Sequence, residues 1–190
     1  AMVRTSHAFE DDGVYLVDPL DAENLDEKLN QYDEVKGIIV LFDRHLRDSE
    51  ELAEKYGCPV YIPEWLEKSI DAEVIEVQDS IPGTDWRFID AVDTLTGREA
   101  GLYHEDSGTL IVADALGTVD MFCGRGEKLG LNPLYRLHPP KNLLNYDVER
   151  IFCGHGKGIQ ENTESTLKNT MSKARRKTPS AYFKAVKSLL

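Results

Sequence analysis

Histidines, carboxylates and arginines gather where apolar runs of this sequence end. The densest group is Asp43-Arg44-His45-Leu46-Arg47-Asp48, which follows directly on Gly37-Ile-Ile-Val-Leu-Phe42. Asp114 closes Ile111-Val112-Ala113, and His155 stands between two glycines after Arg150-Ile-Phe-Cys153. Imidazoles and carboxylates bind first-row metals and exchange protons near neutral pH. Taken singly, each block also describes an ordinary turn, and His155 alone reads equally well as a hydrogen-bonded loop histidine.

The surrounding pattern must hold these residues in place. Val14-Tyr-Leu-Val17 reads as a short strand closed by Asp18-Pro19, and Leu25 to Tyr32 has helical spacing. Gly37 to Phe42 is apolar and β-branched, as in a strand buried on both faces. Ser49 to Gly57 reads as a helix with Ser49 as its cap and Gly57 as its stop, followed by a strand at Cys58 to Ile62. Alternation in EVIEV and WRFIDAV predicts two strands around an Ile81-Pro-Gly-Thr84 turn. A hairpin is expected from Glu99–Tyr103 and Thr109–Ala113, because Gly108 supplies the positive φ of its loop. Thr118 to Asn145 reads as a mostly helical or irregular insertion. Arg150 to Cys153 is a last strand, and Thr163 to Leu190 a helix broken at Pro179.

Bulk properties narrow the function class. The 190 residues suit one domain covering 1–190. With 34 acidic against 22 basic residues, the net charge of −12 repels nucleic-acid phosphates and anionic membranes, so neither is expected as a partner. Such acidity also suits a high-salt cytosol, and a halophile-like origin is expected. The charge is uneven: from Thr163 onward seven Lys or Arg face Glu164 alone, giving +6 against −18 elsewhere. This basic helical segment, from about 163, is read as complementing its helix dipole and the acidic body. Cys58, Cys123 and Cys153 form no C-x-x-C pair and are read as reduced thiols, with Cys58 and Cys153 buried and inert. No apolar stretch is long enough for a membrane span, and AMVRTSHAFEDDG has no signal-peptide core, so a cytoplasmic location is expected. His7, His104 and His138 are taken as surface or turn residues, and Trp65 and Trp86 as core or rim aromatics.

Four blocks, in order, resemble the metallo-β-lactamase superfamily: an early strand ending in Asp18, DRHLRD against H-x-H-x-D-H, GREAG (Gly97 to Gly101) against G-H-T-x-G, and Ala113-Asp114 followed later by Gly154-His155-Gly156. The resemblance spans about Val14 to Gly158 and implies an α/β fold, a four-layer αββα sandwich. It places the former metal-site positions at Asp43, His45, Arg47, Asp48, Arg98, Asp114 and His155. In that family two zinc or iron ions, bridged by a carboxylate, generate hydroxide and polarise a carbonyl or phosphoryl oxygen.

By this resemblance His45, Asp114 and His155 keep ligand types, with Asp114 as the bridging carboxylate. Asp43 and Asp48 stand where histidines are expected, Arg98 at a histidine ligand and Arg47 at the motif's aspartate. A guanidinium has no lone pair for a metal and keeps its charge. The expectation is therefore a degenerate site, well under one equivalent of metal, and a salt-bridged plug of Arg47 and Arg98 among Asp43, Asp48 and Asp114. The leading function is non-catalytic, binding a small anionic ligand through Arg47 and Arg98, with no resident cofactor. The alternative is a metal-dependent hydrolase in which Asp43, His45, Asp48, Asp114 and His155 hold zinc, iron or manganese. A third is an RNA-binding scaffold using the basic C-terminal segment. Sequence leaves the substrate and the oligomeric state open.

Overall fold

The computed structural model describes residues 3–66, 69–94 and 97–189. Its first sheet has five strands in the order β1 (His7–Glu10), β2 (Val14–Val17), β3 (Val35–Ile39), β4 (Val60–Pro63) and β5 (Val74–Val77). β1 is antiparallel to β2, and the remaining pairs are parallel. All four residues of β2 are buried, as a parallel strand covered on both faces requires. Helices α1 (Leu25–Leu29) and α2 (Ser49–Tyr56) cover the outer face, packing Leu29, Leu52 and Ala53 against Val14, Leu16, Ile38 and Val60. Gly57 ends α2 at φ 63°, where its amide returns to the Ala53 and Glu54 carbonyls.

The second sheet is ordered β11 (Arg150–Cys153), β8 (Thr109–Val112), β7 (Gly97–His104) and β6 (Trp86–Thr94). β8 runs parallel to β11 and antiparallel to β7. Between the sheets lies a core that includes Val17, Ile39, Leu41, Phe88, Leu102 and Ile111. On the far side, Leu167, Met171 and Ala174 of α3 (Thr163–Leu189) pack on Leu110, Val112 and Ile151. The layers are thus helix, sheet, sheet, helix, as expected, and each fully buried Leu, Ile or Val contributes roughly 1.5–3 kcal/mol by leaving water.

Several expectations need correction. The N-terminal strand β1 is not among the strands expected from the sequence: only four residues long, it alternates, with His7 and Phe9 half-buried and Ala8 and Glu10 exposed. The apolar run from Gly37 is a strand only through Ile39; Val40 to Phe42 stay buried but bend toward a short 3-10 turn at Asp43–His45. Of the two readings of 118–145, mostly helical or irregular, the irregular one holds: the stretch follows the two-residue strand β9 (Leu116–Gly117) and contains its partner β10 (Gly130–Leu131) plus 3-10 turns at Pro133–Tyr135 and Lys141–Asn145. What fixes it is the fully buried Arg136, which pairs with Glu127 at 2.6 Å and donates to the Phe122 and Ala174 carbonyls. Nor does Pro179 break α3, since it sits on an exposed face and Thr178 Oγ1 and Ser180 Oγ donate to nearby helix carbonyls. The expected end of that helix at Leu190 lies outside the described residues. All three cysteines are buried and free, and burial pushes the Cys58 and Cys123 thiols up to about 11. His7 is half-buried, not a surface residue: its Nε2 faces the Cys153 carbonyl at 3.0 Å. No helix among the described residues is long and apolar enough to cross a membrane.

Candidate metal centre

Strands β2, β8 and β11, and the chain leaving β3, deliver their next residues to one end of the sandwich. Asp18 follows β2, His45 ends the 3-10 turn beyond β3, Asp114 stands two residues past β8, and His155 two past β11. This is where open α/β sheets ordinarily place their sites, outside the carboxyl ends of strands. His45, Asp114 and His155 each aim one ligand-type atom at a common point, and the three atoms lie within 4.8 Å of one another. His45 and His155 are buried, and the Asp114 side chain is 18% exposed.

The tautomers follow from the hydrogen bonds. His155 Nδ1 lies 2.8 Å from the Val3 carbonyl oxygen, which can only accept, so this nitrogen carries a proton. His45 Nδ1 likewise donates to Asp18 Oδ2 at 3.2 Å, and Asp18 Oδ1 accepts from the Leu41 amide at 2.9 Å. Both Nε2 atoms therefore face Asp114 Oδ1, at 2.9 Å for His155 and 3.3 Å for His45. That buried oxygen nevertheless receives no properly aligned hydrogen bond. Burial opposes charge on His45, but the Asp114 and Asp18 carboxylates prevail and hold its pKa up at about 9. Burial also opposes ionisation of Asp114, yet His155 and His45 keep it well below the usual carboxylate range. Gly154 is obligatory here: a Cβ would stand 2.6 Å from the Ala113 oxygen and 2.8 Å from the His45 ring.

The two arginines do not form the expected plug. Arg47 donates to the backbone oxygens of Asp18 at 2.7 Å, Thr5 at 2.9 Å and Gly154 at 3.4 Å, from a left-handed backbone at φ 48°. It ties the N-terminal segment to the ends of β2 and β11, and Thr5 adds bonds to the Gly154 and Gly156 oxygens. Arg98 lies at the rim between the sheets, its guanidinium 4.4 Å over the Trp65 ring and 3.3 Å from Asp90. It is 41% exposed, shares its strand face with Ala100 and Leu102, and does not join Arg47. The two guanidinium groups therefore do not stand together as a pair facing one cleft. Asp43 is exposed, and Asp48 Oδ2 accepts from the Asp21 amide at 2.7 Å, so neither joins the three converging ligands.

Sequence reasoning passed over Glu99, beside Arg98. Extending the β7–β8 register of Gly101 with Val112 by two residues sets Glu99 opposite Asp114. Its side chain is wholly buried, and Oε1 accepts from both amides flanking Asp114, Ala113 and Ala115, each at 2.9 Å. Burial, more than those amides can offset, pushes its pKa up to about 8. The signal was the two-residue alternation: if Arg98 shares a face with Leu102, Glu99 must turn the other way.

The donor set fits a metal ion. Two imidazoles with locked Nδ1 protons and one carboxylate, oriented from behind by Asp18, Val3 and Glu99, make the usual supported ligand arrangement for zinc or iron. The chain matches no protein-family model and no curated protein sequence at a significant level. Solved structures do match. The DIM-1 metallo-β-lactamase exposed to ceftazidime superposes with a TM-score of 0.68 at 14% identity, over 92% of this chain and 86% of that one. A metallo-β-lactamase from Pontibacter korlensis gives 0.62 at 16%, over 90% and 87%. TTHA1623 in a di-iron-bound form gives 0.60 at 18%, over 87% and 96%.

Proposed function

The chain has the metallo-β-lactamase fold, and from that premise we propose that its two-ion centre has been reduced to a single site in which His45, Asp114 and His155 hold one divalent ion. The observation that carries this reading is the buried Asp114 oxygen, facing the Nε2 atoms of two imidazoles whose Nδ1 atoms are already engaged by Asp18 and the Val3 carbonyl. A bound zinc or iron ion supplies Lewis acidity, polarising a water or a substrate oxygen. The protein's own groups hold the ligands still: Asp18 and Val3 fix the imidazole tautomers, and Glu99 fixes the corner that carries Asp114. The nearby Arg47 cation lowers affinity for an ion, whereas Arg98, turned to the rim, does not. Among the described residues no second group of ligand atoms converges, and hydrolysis between two bridged ions is not the function proposed.

A second reading is favoured by the 2.9 Å spacing of His155 and Asp114 and the raised pKa of His45: a metal-free cluster in which a protonated His45 neutralises Asp114 and His155 packs beside it. Elemental analysis of protein purified without chelators separates the two. One equivalent of zinc, iron or manganese per chain is expected. Two equivalents would overturn the reduced centre, and none, with no uptake on zinc addition, would leave the charge cluster.

A further inference from the structure

The most uneven charge on the molecule lies away from the His–Asp–His cluster. Along α3, Leu167, Met171, Ala174 and Ala181 face the core, while Thr166, Asn169, Lys173, Arg176 and Lys177 follow at helical spacing on an adjoining face. The Gly126–Leu129 loop rises opposite them, and together they enclose a cavity of about 290 Å³. That is the low end for small-molecule sites, which run from roughly 300 Å³ upward.

Four cations line this small space: Lys128, Lys173, Arg176 and Lys177. Its carboxylate, Glu127, is already spent, pairing with Arg136 and accepting the Gly124 amide at 2.6 Å. Lys177 Nζ donates to the Arg125 carbonyl at 2.6 Å. Among the described residues, no carboxylate pairs with Lys128, Lys173 or Arg176. Elsewhere on this acidic chain Lys36, Lys55, Lys168 and Lys184 have carboxylate partners, and Lys28, Lys141 and Lys157, which have none among the described residues, stand far apart in sequence and line no shared cavity with one another. Unpaired cations gathered around one concavity repel one another, and a multivalent anion removes that repulsion. Asn169 Nδ2 donates to the Ser165 carbonyl and Thr170 Oγ1 to that of Leu129, so charge is the main means of recognition, with the Thr166 hydroxyl beside it.

We propose that the groove between α3 and the Gly126–Leu129 loop binds a small, multiply charged phosphate compound, of the di- or triphosphate class, through Lys128, Lys173 and Arg176. Arginine's planar fork matches phosphate oxygens, and the lysines supply point charge. A nucleic acid offers the same groups, but a long polyanion leaving a cavity of this size would run along a body carrying −18.

Calorimetric titration of the intact chain with inorganic triphosphate and pyrophosphate, at low salt, tests this. One triphosphate per chain is expected, bound more tightly than pyrophosphate. Lys173→Ala/Arg176→Ala, both at exposed positions, should weaken it about tenfold or more, with an unchanged melt. The control Lys168→Ala/Lys184→Ala removes cations already paired and should change little. Because polyphosphates chelate metals, binding must persist in Asp114→Asn. Absence of a saturable one-to-one site, equal loss in the control, or loss in Asp114→Asn overturns the proposal. So does a single-stranded oligonucleotide that binds more tightly than triphosphate and is not displaced by it.

Discussion

The ends of β8 and β11 and the start of β7 lie side by side, yet they treat their polar residues in opposite ways. At β8 and β11, Asp114 and His155 turn inward, lose most of their water and are held by partners behind them. At β7, Arg98 turns outward onto Trp65 and Asp90, and its neighbour Glu99 takes the buried position. Position within a motif thus assigns a residue to a neighbourhood, while strand parity decides which side chain enters it. Glu99 has a structural consequence that Arg98 lacks, because it satisfies two buried amides at the turn that bears Asp114.

The largest expected effect comes from removing the inward-turned residue. Glu99→Ala leaves the Ala113 and Ala115 amides buried without an acceptor and opens a cavity, so urea unfolding should show a loss of roughly 2–4 kcal/mol. Glu99→Gln keeps one acceptor oxygen and should cost about 1 kcal/mol or less. Equal losses in the two variants would remove Glu99 from its role.

Gly154→Ala comes next. Its methyl would press on the Ala113 carbonyl and the His45 ring, an overpacking cost of roughly 1–3 kcal/mol, together with weaker zinc binding. A variant with parental stability and affinity would mean that the ends of β8 and β11 are not in close contact.

Arg98→Ala should matter least, within about 1 kcal/mol, since an exposed ion pair and ring contact are all it loses. Arg98→His should likewise bring no gain in zinc affinity. A gain of about tenfold or more would return this position to the ligand set and remove the difference between Arg98 and the inward-turned residues.

The four-layer sandwich was legible because the buried strands are continuous apolar runs and Ser49 to Gly57 carries an amphipathic pattern with a glycine stop. The convergence of His45, Asp114 and His155 was also indicated by the order of the blocks. What could not be read was the direction of a side chain at a strand's edge. Arg98 followed from spacing, but its contact with Trp65 depends on the meeting of two sheets. Arg47 was read as a cation seeking carboxylates, whereas its left-handed backbone turns it onto three carbonyls supplied by segments more than twenty residues away. The 118–145 stretch lacked periodicity because its buried apolar residues, Leu129, Leu131, Tyr135 and Leu143 among them, fall at irregular spacing around the buried Arg136–Glu127 pair.

The most direct test of a one-ion centre is calorimetric titration of zinc into the metal-stripped chain beside its Asp114→Asn variant, which keeps the shape and removes the charged ligand. One ion per parental chain is expected, with affinity weakened by about a hundredfold in the variant. Two ions per chain, or the same affinity in both proteins, would contradict the assignment of His45, Asp114 and His155 as a single metal site.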